Sequence, residues 1–208
     1  MANVLFIKAN SRPDDQAVSV QMYNKFKDNY LKENPNDRIQ ELDLFKENLP
    51  YYDVDKIHGM FKTAKGIEMT KEEEEAAELV KGYLNQFLEA DKVVIAFPLW
   101  NFSVPAVLHT YFDYLCQAGT TFRYTEAGPE GLMSNKKVML LNARGGVYSE
   151  GAAASMEMAV NYVETIMQFF GIENRSSVII EGHNQFPDKA KEIIEEGLQK
   201  TEQQAANF

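Results

Sequence analysis

The chain has 208 residues, 45% hydrophobic and 25% charged, which suits one α/β domain over residues 1–208 with a large buried core and excludes a disordered reading. Its formal charge of −10 opposes nucleic acid and anionic membrane surfaces, and no local basic patch offsets it. A single cysteine, no apolar run of membrane-span length and no basic segment before the first apolar run lead to the cytoplasm as the expected location, without disulfide or membrane partner.

In chain order, "NVLFIKA" at 3–9 reads as a strand buried on both faces, and "NSRPDDQ" follows as a turn. From Gln16 to Glu33, Val20, Tyr23, Phe26, Tyr30 and Leu31 recur at helical spacing, with Asp14 or Asp15 expected to cap the start. "RIQELDL" at 38–44 alternates like a strand near a sheet edge, and the segment beyond it, residues 45–69, has too little periodicity to assign. Thr70 to Ala90 is a helix whose "KEEEE" run is its solvated acidic start.

"KVVIAF" is the third strand, and a helix runs from Pro105 to near Gln117. Cys116 lies on that helix as a small core residue, with no thiol chemistry expected. "AGTTFRYTEAGPEGLMSNK" reads as an extended loop leading into "KVMLLNA", the fourth strand. A helix carrying Met156, Tyr162, Val163, Ile166 and Phe169 ends at Gly171, "SSVIIEG" is the fifth strand, and a polar helix starts near Pro187.

This alternation predicts a five-stranded parallel sheet with helices on both faces, and in the order 2-1-3-4-5 ligands bind beside the ends of strands one and three. Three loops then share one edge of the sheet. The first offers Ser11, Ser19 and the free amides of a helix start, suited to an anion. The second, "PLWNFSVP", offers Trp100 and Phe102 as a flat wall and Asn101 as donor and acceptor for a ring edge. The third offers Gly145 and Gly146 for close backbone approach and Arg144 as a fixed cation.

Neither G-x-G-x-x-G nor G-x-x-x-x-G-K-[ST] occurs, so a phosphate at the first helix would belong to a mononucleotide. His58, His109 and His183 have no metal-ligand spacing, and no metal is expected. A phospho-receiver domain would need acidic residues where Lys8-Ala9-Asn10 and Phe97-Pro98 stand.

"PLWNFSVPA" resembles P-M-[YW]-N-F-x-x-P-A, "GTTFRYTEAGPEGL" resembles G-x-T-F-x-Y-T-x-x-G-P-x-G-L, and "ARGG" resembles the R-G-G of FMN-dependent NADH:azoreductases, flavodoxin-like enzymes that also reduce quinones. The resemblance spans nearly the whole chain. It implies bound FMN, NADH as donor, ping-pong reduction of quinones and azo compounds, chemistry carried by the flavin and not by a catalytic side chain, and a homodimer. It further implies phosphate contacts from Ser11, Ala17, Val18 and Ser19, and flavin contacts from Leu99, Trp100, Asn101, Phe102, Ala143, Arg144, Gly145 and Gly146. Phe122 and Tyr124 would line the substrate side.

The chain departs from the pattern at Leu99, where Met is frequent, at Ala17, where Ser is common, and at Asn142-Ala143 before "RGG". A non-enzymatic flavodoxin carrier is the alternative reading.

Overall fold

The computed structural model describes all residues 1–208. Five parallel strands, β1 (Asn3–Lys8), β2 (Arg38–Asp43), β3 (Lys92–Pro98), β6 (Lys137–Arg144) and β7 (Asn174–Glu181), lie in the order β2-β1-β3-β6-β7. This is the expected order, with two short extra strands, β4 (Phe122–Thr125) and β5 (Gly128–Gly131), inserted before the fourth strand of the sheet. The helices are α1 (Val18–Glu33), α2 (Val54–Lys65), α3 (Lys71–Glu89), α4 (Ala106–Leu115), α5 (Val160–Phe169) and α6 (Ala190–Ala206).

The central strands are apolar without interruption because each face of the sheet has its own core. Alternation along β1 sends Leu5 and Ile7 to one side and Val4 and Phe6 to the other. The first side continues through Val93, Ile95 and Phe97 of β3 to Phe87 of α3 and Phe112 of α4, and the second through Val94 and Ala96 to Phe26 and Tyr30 of α1. Both faces of the central strands are thereby withdrawn from water, while the edge strands β2 and β7 stay partly exposed.

Several sequence expectations change. Asp14 and Asp15 do not cap α1: they form a 3-10 turn with Gln16, and α1 starts only at Val18, after extended Ala17. The unassigned stretch 45–69 contains α2, capped by the Asp53 side chain at its start and left-handed Gly66 at its end. The segment expected as an extended loop after α4 folds into the antiparallel β4–β5 hairpin, with Phe122 opposite Gly131 and Thr125 opposite Gly128. Met156 belongs to a 3-10 turn ahead of α5, not to the helix.

α2 explains its own obscurity. Its buried positions are Lys56 and Gly59, and a Cβ on Gly59 would lie 2.3 Å from the Glu73 carbonyl oxygen of α3. Close backbone packing and the Lys62–Glu73 ion pair at 2.6 Å hold the helix, Met60 alone of its large apolar residues packs against the core, and Val54, Ile57 and Phe61 are exposed. No helix is long and apolar enough to cross a membrane.

Candidate functional site

The site grows from the carboxyl ends of β1, β3, β6 and β7. Beyond β1, the Ala9 amide still donates to the Ala96 carbonyl at 2.9 Å, which carries buried Asn10 to the sheet edge. Asn10 Nδ2 donates to Ser19 Oγ at 2.9 Å, and Asn10 Oδ1 accepts from the Arg12 amide at 3.0 Å, so one side chain joins the loop to the first turn of α1.

No side chain caps α1, because Ala17 occupies its N-cap position. The first helical amide taken up is that of Val20, which donates to the Ala17 carbonyl at 2.9 Å. The Val18 and Ser19 amides belong to the unpaired first turn, whose partial positive charge attracts an anion. Ordinary side-chain capping therefore does not account for this helix start.

Beyond β3, Leu99 donates its amide to the Ala143 carbonyl at 3.0 Å, extending the β3–β6 pairing into the site. Trp100 and Ser103 then pair across a two-residue turn in which Asn101 has φ 49° and Phe102 φ 69°. These are the only non-glycine residues with positive φ. Asparagine tolerates this region, whereas a bulky aromatic there is strained, and such strain concentrates at functional sites. The Phe102 carbonyl accepts the Met158 amide at 2.9 Å, tying the turn to the segment before α5.

The loop after β6 is shaped by an ion-pair network. Arg144 is buried, with Nε 2.8 Å from Glu181 Oε2 and NH1 3.5 Å from Glu157 Oε1. The expected fixed cation is fixed indeed, but between two carboxylates that neutralise it. Glu157 also accepts from the amides of Ala159, Val160 and Asn161 at the start of α5, while Glu181 accepts from the Tyr148 amide at 2.9 Å and from the Ser149 hydroxyl. Burial pushes the Glu181 carboxyl up, but Ser149, the Tyr148 amide and Arg144 outweigh it and hold its pKa below the usual range.

These loops enclose a cleft of about 490 Å³, within the range of small-molecule sites. Of the sequence-predicted residues, Ala17, Val18, Ser19, Leu99, Trp100, Ala143 and Gly145 line it. Exposed Ser11, Asn101 and Phe102 are not part of its wall, nor are Arg144 and Gly146. Phe122 is buried against Phe169, ring centroids 4.3 Å apart, and Tyr124 is 75% exposed on the hairpin; neither lines the cleft within this chain. A groove of about 340 Å³ between Asn3, Arg38 and Gln86 lies at the opposite end of the sheet.

Sequence reasoning missed Asn10, Arg12, His183 and Asn184 and read Asp15 only as a helix cap, yet all of them line the cleft. Asn10 and Arg12 flank Ser11, and His183-Asn184 follow the fifth strand at the same sheet edge, so the strand-end rule that found three loops extends to them.

The donor set fits a flavin mononucleotide. Helix-start amides and Arg12 suit its phosphate, with Asp15 the one carboxylate in the wall, and Leu99, Trp100 and Ala143 offer an apolar wall for its ring. Gly145 leaves room for Asn184, its neighbour in the wall: a Cβ there would lie 2.4 Å from Asn184 Nδ2. The Cys116 thiol is pushed up to about 11, chiefly by burial, and so stays an inert core group.

The comparisons agree with this geometry. Residues 2–205 match the family model described as flavodoxin-like fold. FMN-dependent NADH:quinone oxidoreductase 3 of Bacillus cereus is 61% identical over 208 residues, covering all of both chains. The crystal structure of an azoreductase from Bacillus anthracis matches with a TM-score of 0.98 at 60% identity, again over all of both chains. An FMN-dependent NADH-azoreductase of the same species, solved in complex with FMN, matches with a TM-score of 0.92 at 28% identity, covering 100% of this chain and 99% of the other. The chain belongs to the family of FMN-dependent NADH:quinone oxidoreductases and azoreductases, on the flavodoxin-like fold.

Proposed function

We propose that the cleft binds FMN and that the chain uses NADH to reduce quinones and azo compounds, the activities named for its relatives. The observation that carries this reading is one cleft in which an uncapped helix start faces an aromatic turn and a glycine backbone. FMN, when bound, supplies the two-electron chemistry between NADH and the acceptor.

The chain contributes position and electrostatics. The Val18 and Ser19 amides, with Ala17 and Arg12 in the wall around them, receive the phosphate, and the Ser11 hydroxyl joins them from outside the wall. Leu99 and Trp100 form the ring wall, and the turn holding Asn101 and Phe102 is closed by its own backbone bonds, so little order remains to be imposed on binding. Gly145 and Gly146 offer backbone to the ring edge, and Arg144 is a positioning residue whose pairs with Glu157 and Glu181 shape their loop. No cleft residue is needed as a general acid or base.

The protein acts as a cytoplasmic homodimer of one flavodoxin-like domain per chain. Supporting this, Val54, Ile57 and Phe61, spaced along α2, are 57%, 50% and 57% exposed, an apolar stripe suited to a second copy. Tyr124 and Phe102, also exposed, would then line the acceptor side together with partner surface. Steady-state NADH oxidation with a quinone and with an azo dye, before and after adding FMN, tests the activity. Loss of NADH dependent on both FMN and acceptor supports it, and none with either acceptor refutes it.

A further inference from the structure

His183 lines the cleft, and its side chain makes no hydrogen bond within the chain. Its backbone is pinned on both sides to the loop after β6. The preceding Gly182 amide is shared between the Arg144 and Gly146 carbonyls, each at 3.2 Å, and the following Asn184 and Gln185 amides reach the Gly145 carbonyl at 2.9 and 3.0 Å. Gly182 itself has φ 84°, a conformation that a side chain would strain. The imidazole is thus presented to the cleft by a rigid mount.

Its two nitrogens differ. Nδ1 is shut away from water and has no hydrogen-bond partner, which leaves Nε2 as the nitrogen free to meet a ligand. A dry N–H without an acceptor is rarer and costlier than a dry lone pair, so the single proton of the neutral ring belongs on Nε2. Protonating Nδ1 would create such an N–H, and burial accordingly lowers the imidazole's pKa. His183 is therefore a neutral donor, suited to an uncharged carbonyl more than to a phosphate, which would favour the imidazolium.

We propose that the Nε2–H of His183 donates a hydrogen bond to a ring carbonyl of the bound flavin, an inference that rests on the FMN reading above. The bond binds the cofactor and also favours its reduced, more electron-rich ring. Gly145, which shares its carbonyl with the His183 loop, lines the same part of the cleft.

The test titrates the full-length chain, freed of flavin, with FMN and with riboflavin, and measures the midpoint potential of the FMN form. His183→Leu should weaken both ligands by about 2- to 10-fold, the worth of one hydrogen bond, and shift the potential to more negative values. His183→Gln, which keeps an N–H donor, should restore most of both effects, which a purely structural role would not predict. Unchanged affinity and potential in His183→Leu overturn the inference while leaving FMN binding in place. Weakening confined to FMN also overturns it, because the donor would then serve the phosphate. A wild-type chain that binds neither ligand removes the FMN reading itself.

Discussion

Trp100 and Ser103 exchange both of their backbone hydrogen bonds, at 2.9 and 3.0 Å, and so hold Asn101 and Phe102 between them in the left-handed region. Two bulky or polar side chains are displayed at the mouth of the cleft because the backbone beneath them is closed. In the sequence the turn stands out for its aromatics, Trp100 and Phe102; in the structure its backbone is equally unusual.

The turn separates side-chain from backbone effects. Asn101→Ala should cost about 1 kcal/mol, because alanine keeps a Cβ in the left-handed region without the amide that makes asparagine tolerant there. Asn101→Gly should leave the melting temperature nearly unchanged. Both should weaken FMN binding and slow turnover, and a glycine variant with wild-type flavin affinity would remove the Asn101 side chain from the site.

Arg144 is the buried centre of the loop after β6. Arg144→Met should destabilise the fold by about 3 kcal/mol, since it strands Glu157 and part of Glu181 without their counter-charge. Urea unfolding measures this, and a loss under 1 kcal/mol would show that the carboxylates find other partners.

Glu181 makes that stability pH-dependent. Its folded pKa is lowered, so its contribution is complete above the ordinary carboxylate pKa of about 4.3 and is lost as pH falls through the lower folded value. The stability gap between wild type and Glu181→Gln should therefore be constant near neutrality and shrink on acidification. A gap that widens with acid would reverse the assigned direction.

The strands could be read because Val4–Ile7, Val93–Phe97 and Val138–Leu141 are apolar on both faces, a pattern that few other structures produce. α2 was missed although Val54, Ile57 and Phe61 do recur at helical spacing, because that stripe is short and faces outward while the inner face is Gly59 and the stem of Lys56. The β4–β5 hairpin was hidden by strands of four residues with exposed Arg123, Tyr124 and Glu130. At the site, chain order located three loops, but depth along each was invisible. Nothing in "ARGG" says that Arg144 turns inward to Glu181, and the uncapped state of α1 depended on where the turn at Asp14 ended.

α3 offers a simpler check of local physics. Thr70 and Glu73 form a reciprocal capping box, the Glu73 amide reaching Thr70 Oγ1 at 3.3 Å and the Thr70 amide reaching Glu73 Oε2 at 2.8 Å. Thr70→Ala should cost about 1 kcal/mol in thermal or urea unfolding, with flavin affinity unchanged. A change in flavin binding would mean that α3 communicates with the cleft.

The most direct measurement is FMN titration of the purified chain followed by NADH oxidation with a quinone as acceptor. The account predicts one flavin bound per chain, a yellow protein, and NADH consumption with parallel double-reciprocal plots as quinone is varied. A chain that stays colourless in excess FMN, or one that binds flavin and exchanges single electrons without oxidising NADH, would contradict it.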